Sequence, residues 1–223
     1  MIAPFPILRE RLLKPVLWLL WLYFGYLMAL ITLQYTSFGR DTAFLYIKQA
    51  EVQRPLYLPA FYVHVWTSMA VLVCGGLQLW GWLRRHYKAV HRLLGRGYVL
   101  LILGFSAPSG LYMAWYANGG WAAQLSFVLL AVAWFGSTLA AFLHIKKGNL
   151  LQHRAWMYRS YALTLSAVTL RFWKWVLVAL FHPRPMDVYV LVAWLGWVLN
   201  VVVVEWWLRQ TSAKTRLAPS VPA

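Results

Sequence analysis

Acidic side chains are the scarcest feature of this 223-residue chain, which has five Asp and Glu against 21 Lys and Arg. Charged residues of both signs make up only 12% of it, against about 25% in an ordinary soluble domain, which excludes that class. There is one cysteine, Cys74, so no internal disulfide forms and the redox compartment is left open. No zinc or di-iron spacing, phosphate-binding loop or nucleophilic triad appears, so a hydrolase of the soluble type has no support. The first apolar run follows a basic flank, as in a signal peptide, but no small-residue cleavage site comes after it. It reads as a retained helix.

What is present in quantity is apolar: 62% of the residues are hydrophobic. Six segments are long enough to cross about 30 Å of hydrocarbon, at 15–33, 61–83, 98–117, 122–145, 161–181 and 188–208. The expected fold is an all-α integral membrane protein of six transmembrane helices, with spans two to five forming a four-helix core. Residues 1–14 are expected as a cytoplasmic segment at the membrane surface. Residues 15–208 are expected as a single transmembrane domain, and 209–223 as a cytoplasmic disordered tail. The only long loop, 34–59, is expected on the outer side with a short interfacial helix over 41–52.

The net charge of +16 points to topology and not to nucleic acid. Arg9, Arg11 and Lys14 precede span one. Arg84, Arg85, Lys88, Arg92 and Arg96 join spans two and three; Lys146, Lys147, Arg154 and Arg159 join four and five; Arg209, Lys214 and Arg216 follow six. These fall on one side. On the other, Arg40, Lys48 and Arg54 are offset by Asp41 and Glu51, and Arg184 stands beside Asp187. The positive-inside rule then puts both termini on the cytoplasmic side, with the lipid bilayer as the first partner. Several of the fifteen Trp residues cluster near span ends, as an interfacial belt does.

Polar residues inside the spans are the candidate functional groups. On one straight helix, His153, Met157, Ser160, Thr164, Ala167 and Arg171 would stack along a single face. Arg171 then falls near mid-membrane, where a cation costs at least about 2.5 kcal/mol. The one carboxylate inside a span, Glu205, lies about 10 Å from that depth and is better placed for Arg159. Lys174 adds a second cation, so either an anionic ligand compensates the pair or their stems snorkel to the headgroups. In span two, His64, Ser68, Gly75 and Gln78 share a face, and Gly75-Gly76 permits close helix approach. In span three, Pro108 predicts a kink near 106–110 that faces protein or water.

The pattern of His64 with Gln78, His91-Arg92-x-x-Gly95-Arg96-x-Tyr98, His153-Arg-x-Trp156-Met157-x-Arg159-Ser160-Tyr161-Ala162-Leu163-Thr164 through Arg171, and Trp194 with Asn200 and Glu205 resembles a known family. It is the bacterial predicted-membrane-protein family catalogued as domain of unknown function 2306. That resemblance implies six inner-membrane helices and carries no activity. A weaker likeness is to the transmembrane cytochromes b, whose four-helix core holds haem between facing histidines. His64, His91, His144 and His153 lie in or beside spans two to five, but three of the four are on the inner side. The likeness therefore implies at most one bis-histidine haem b, at His91 and His153. Arg92, Arg96, Arg154 or Arg159 would serve the haem propionates.

Two function classes follow. One is electron transfer through that haem, with a quinol or another redox partner. The other is a non-redox protein that binds or transports an anionic solute or lipid through a polar cavity formed by His64, Gln78, Ser109, Arg171 and Asn200, or an accessory subunit of a membrane complex. The oligomeric state is not legible.

Overall fold

The computed structural model describes residues 5–217, and among these every regular element is a helix. The elements are α1 (Phe5–Leu33), α2 (Gln49–Val52), α3 (Tyr57–Leu79), α4 (Gly81–His86) and α5 (Lys88–Leu101), then α6 (Ala107–Ala114), α7 (Gly120–Lys146), α8 (Leu150–Thr164), α9 (Ser166–Phe181) and α10 (Pro185–Leu217). Five stretches are each long and apolar enough to cross a membrane: Pro15–Ser37, Tyr57–Leu79, Lys88–Ala114, Gly120–Lys146 and Pro185–Thr211. The pair α8 and α9, bent by 43°, makes the sixth. α10 continues to Leu217 where a disordered tail from residue 209 was expected. No proline lies between Pro185 and Pro219, so no proline stops the helix earlier. Likewise α1 already begins at Phe5, so residues 5–14 form no element separate from it.

Chain reversals alternate between two ends of the bundle. The end with α4 and the α7–α8 turn carries the cations of both connections, and is called here the basic end. The far end carries the 34–56 loop, the Asn118–Gly120 turn and the α9–α10 turn. The core lies among spans two to five, where Val71, Tyr98, Ile102, Ala107, Trp134, Tyr161 and Leu163 form one buried cluster. By contrast α1 is peripheral, with only 6% of its apolar window buried.

A second buried cluster seals the far end: Tyr35, Leu45, Val52, Tyr57, Phe61 and Tyr62. It is why the long loop is ordered. Tyr35 closes a 3₁₀ turn at Gln34–Ser37, and Leu45 sits in another at Ala43–Lys48, which leads into α2. Lys48, with its side chain 2% exposed, ties the loop down. Its Nζ donates to the Tyr116 carbonyl beyond α6 and to Glu51 Oε1 at 3.3 Å. Lys48→Met strands that carbonyl and removes the charge partner of Glu51, and is expected to cost about 2 kcal/mol. Loss of thermal stability in detergent, with the loop becoming protease-sensitive, checks this.

Candidate functional site

The polar residues of the four-helix core occur in three layers, spaced by heptads along α5 and α8. Seven residues separate His91 from Tyr98, and seven separate His153 from Ser160. Each step rises about 10.5 Å on the same face.

The layer nearest the far end is built around His64 of α3. Its Nδ1 lies 2.9 Å from the Ser106 carbonyl oxygen, which only accepts, so Nδ1 carries the proton. Ser106 ends a π-helical turn at Ile102–Ser106, two residues before Pro108. Pro108 lacks an N–H for the carbonyl one turn back, and the wider turn closes instead through Ala107 N–H to the Ile102 oxygen. The disturbance expected at Pro108 takes the form of this π turn, a few residues toward the basic end, within one continuous span. Gly110 completes the pocket, since a Cβ there would lie 2.8 Å from His64 Cε1. His64 is thus a packed, hydrogen-bonded side chain with Ser68 Oγ at 3.5 Å from its Nε2.

The middle layer is closed. Tyr98, fully buried, holds its hydroxyl 2.9 Å from both Ser160 Oγ and Thr164 Oγ1. Trp134 Nε1 donates to Thr164 Oγ1 at 3.0 Å, and Thr138 Oγ1 lies 2.7 Å from Ser160 Oγ. Sequence reading placed Ser160 and Thr164 in a polar stripe and missed Trp134 as their partner. The available signal was the heptad step that sets Tyr98 above His91 and Ser160 above His153.

The layer at the basic end holds His91 of α5 and His153 of α8. His153 Nδ1 donates to the Ala141 carbonyl at 2.8 Å, which fixes the tautomer and leaves Nε2 with a free lone pair. His91 Nδ1 is buried without a hydrogen-bond partner. Buried polar atoms seldom stay unsatisfied. Gln78, buried on α3, donates from Nε2 to the His91 carbonyl at 2.7 Å and so locks α5 against α3 at this level. Among the described residues no three His, Cys, Asp or Glu side chains converge. A metal here would therefore have two protein ligands, too few for zinc. Arg92 and Arg96 are exposed nearby on α5, without an ion pair among the described residues.

Arg159 is engaged elsewhere. Its guanidinium makes a two-point ion pair with Glu205 of α10, through Nε to Oε1 and through Nη2 to Oε2 at 3.0 Å, and lies 4.6 Å from the Trp156 ring centroid. The pairing of Glu205 with Arg159 instead of Arg171 is as the depth argument required.

The family model described as a predicted membrane protein, DUF2306, matches residues 61–208, more than half of the chain. The chain belongs to that family. No curated protein and no solved structure matches it. The DUF2306 unit therefore takes in α3 from Phe61 through α10 to Leu208, including all three layers, and leaves out α1 and the far-end loop.

Within this DUF2306 unit the stripe from His153 to Arg171 does not run straight. The helix breaks at Leu165, where Asn200 of α10 inserts and donates from Nδ2 to the Ala162 carbonyl at 3.0 Å and to Thr169 Oγ1 at 3.0 Å. A side chain entering the backbone ladder bends a helix without proline. The bend carries Arg171 to the exposed surface of α9, where its Nη1 donates to the Ala167 carbonyl at 2.7 Å. Ser109 is buried and bonds back to the Phe105 carbonyl of its own span at 2.6 Å. Of the five residues expected to line one polar cavity, none hydrogen-bonds to another: His64, Gln78, Ser109, Arg171 and Asn200 each have separate partners.

Proposed function

We propose that this DUF2306 protein holds one haem b through His91 and His153 at the basic end of its four-helix core, and transfers electrons between a membrane quinol or a redox protein and a second partner. The observations that carry the reading are the unpaired, buried Nδ1 of His91 and, at the same end of the core, the Nε2 of His153 left free by the bond of its Nδ1 to Ala141. A haem iron held by two neutral imidazoles supplies reversible one-electron transfer.

The chain's own residues supply orientation and electrostatics. The Ala141 carbonyl fixes which nitrogen of His153 is presented, a role that such outer partners commonly play for ligating histidines. Gln78 fixes the backbone under His91. The closed hydroxyl layer at Tyr98 keeps the site at the basic end, with about 10.5 Å between the two levels. Arg92 and Arg96, without an ion pair among the described residues, supply cations for carboxylates, whereas Arg159 is already held by Glu205.

Full-length protein purified from haem-replete cells is expected to be coloured, with a reduced-minus-oxidised difference spectrum of b type. His153→Ala and His91→Ala are each expected to abolish it. Arg171→Gln, well removed from this layer, should leave it intact. A colourless wild-type protein that also fails to bind added haemin would end this reading.

A further inference from the structure

We infer a second site, on the outer surface of span three: Lys88, Arg92 and Arg96 of α5 bind the headgroup of a net-anionic phospholipid from the leaflet at the basic end. The observation behind it is a ridge. Lys88, Arg92, Arg96, Leu100, Gly104 and Pro108 follow one another in steps of four, and all six are exposed. Residues four apart stand one above the next on a helix, and these belong to one continuous span, Lys88–Ala114. The π turn at Ile102–Ser106 shifts the lower end of the ridge round the helix without burying it. The first three members are cations, and the last three carry no charge.

That order matches a lipid of this leaflet. α5 begins with Lys88 at the basic end, and helical side chains lean toward their own N-terminus, so all three cations reach outward to the headgroups. Lys88 to Arg96 covers about 12 Å of helix. Arg96 to Pro108 covers about 18 Å, close to the half of an about 30 Å hydrocarbon core that one leaflet fills. This deeper length is apolar and open. Leu100 is 63% exposed, and a Cβ on Gly104 would meet nothing closer than Leu100 Cδ1 at 3.9 Å. An acyl chain lies along it.

None of the three cationic side chains has a hydrogen bond or an ion pair among the described residues, where the ion pairs are Lys48 with Glu51, Arg159 with Glu205 and Arg184 with Asp187. Three cations without a counter-charge select a net-anionic headgroup over a zwitterionic one, which brings a cation of its own. The phosphate accepts from the guanidinium forks and from the ammonium. A general attraction of basic residues to an anionic leaflet depends only on charge and distance from the surface. The ridge adds a seat for the chain directly beneath the charge. Arg92 and Arg96 are also the cations offered to the haem carboxylates. His91 itself points about 100° round the helix from Arg92, so the lipid lies outside the core that holds it.

The test uses the full chain reconstituted in phosphatidylcholine vesicles with a minor share of phosphatidylglycerol, extracted in mild detergent and examined by native mass spectrometry. Wild-type protein should retain phosphatidylglycerol in preference to phosphatidylcholine. Arg92→Gln should weaken that retention about fivefold, and Lys88→Gln/Arg92→Gln/Arg96→Gln should abolish the preference. The control Arg85→Gln/Lys146→Gln/Lys147→Gln removes the same charge from exposed positions off the ridge and should retain lipid as the wild type does. Equal losses in the two folded triple variants would reduce the effect to general attraction and overturn the site. If the ridge triple variant does not fold, Arg92→Gln alone decides, and unchanged retention refutes the site. Folded His91→Ala/His153→Ala protein separates this proposal from the haem. Retention there supports the lipid site whether or not haem binds, whereas loss ties the arginines to the haem and overturns it. Displacement of the lipid by millimolar inorganic phosphate at constant ionic strength would assign the cations to a free anion and overturn the lipid assignment.

Discussion

Gly75→Ala is expected to lower the stability of the folded bundle by about 3 kcal/mol, at the top of the range for overpacking a core by one methyl group. A Cβ at Gly75 would lie 2.4 Å from Tyr161 Cδ2 and 2.7 Å from Tyr98 Cε2. Neither ring can retreat. Tyr98 is held by Ser160 and Thr164, and Tyr161 donates to the Leu72 carbonyl at 3.2 Å while accepting from Trp21 Nε1 at 2.6 Å. Any movement that relieves the clash breaks hydrogen bonds in an environment without water to replace them. Gly136→Ala is the control. A Cβ at Gly136 meets nothing within 4 Å, and replacing glycine inside a helix gains about 0.5–1 kcal/mol. Opposite signs in the two thermal unfolding midpoints, followed by near-ultraviolet circular dichroism of the aromatic core, are the expected result. If both variants melt alike, Gly75 is not the contact point of spans two, three and five.

Arg159→Met is expected to cost about 3 kcal/mol, because it removes the two-point ion pair of Glu205 in the apolar part of α10. The value is set at the low end for a broken buried pair, since the two side chains remain 24% and 33% exposed. Glu205→Gln leaves Arg159 still stacked on Trp156 and should cost less. The combined replacement Arg159→Met/Glu205→Met should recover most of the loss, because removing both charges also removes their desolvation. A double-mutant cycle gives the coupling directly. If the two single losses simply add, the pair carries no interaction worth the name.

This pair also measures how far the sequence could be read. Counting carboxylates and depths was enough to join Glu205 to Arg159, because both quantities are linear in residue number. The six spans and the segregation of cations to one end were legible for the same reason. The place of Arg171 was not. A period of 3.6 residues describes a straight helix, and it put Arg171 above His153 and facing inward. The bend at Leu165 comes from Asn200, a residue 38 positions from the Ala162 carbonyl it binds, and neither proline nor glycine marks the break locally. The disturbance at Pro108 did have a local marker, and it was anticipated to within a few residues. The pairing of His91 with His153 was expected through resemblance and stays a proposal. The orphan nitrogen and the Ala141 carbonyl that make the pair chemically specific belong to tertiary contacts that spacing does not encode.

The hydrogen bond from Trp21 to Tyr161 joins residues 140 positions apart, and it sets a clock. Trp21 also fills the space beside Gly76, where a Cβ would lie 2.3 Å from its ring. α1, which also packs on α3, thus completes its anchoring only when α8 has been made. At about 5–20 residues per second the wait is roughly 7–28 s. Throughout it, Trp21 lacks the Tyr161 hydroxyl that accepts its N–H and Gly75 lacks the Tyr161 ring, so α1 is made well before it is fully fastened.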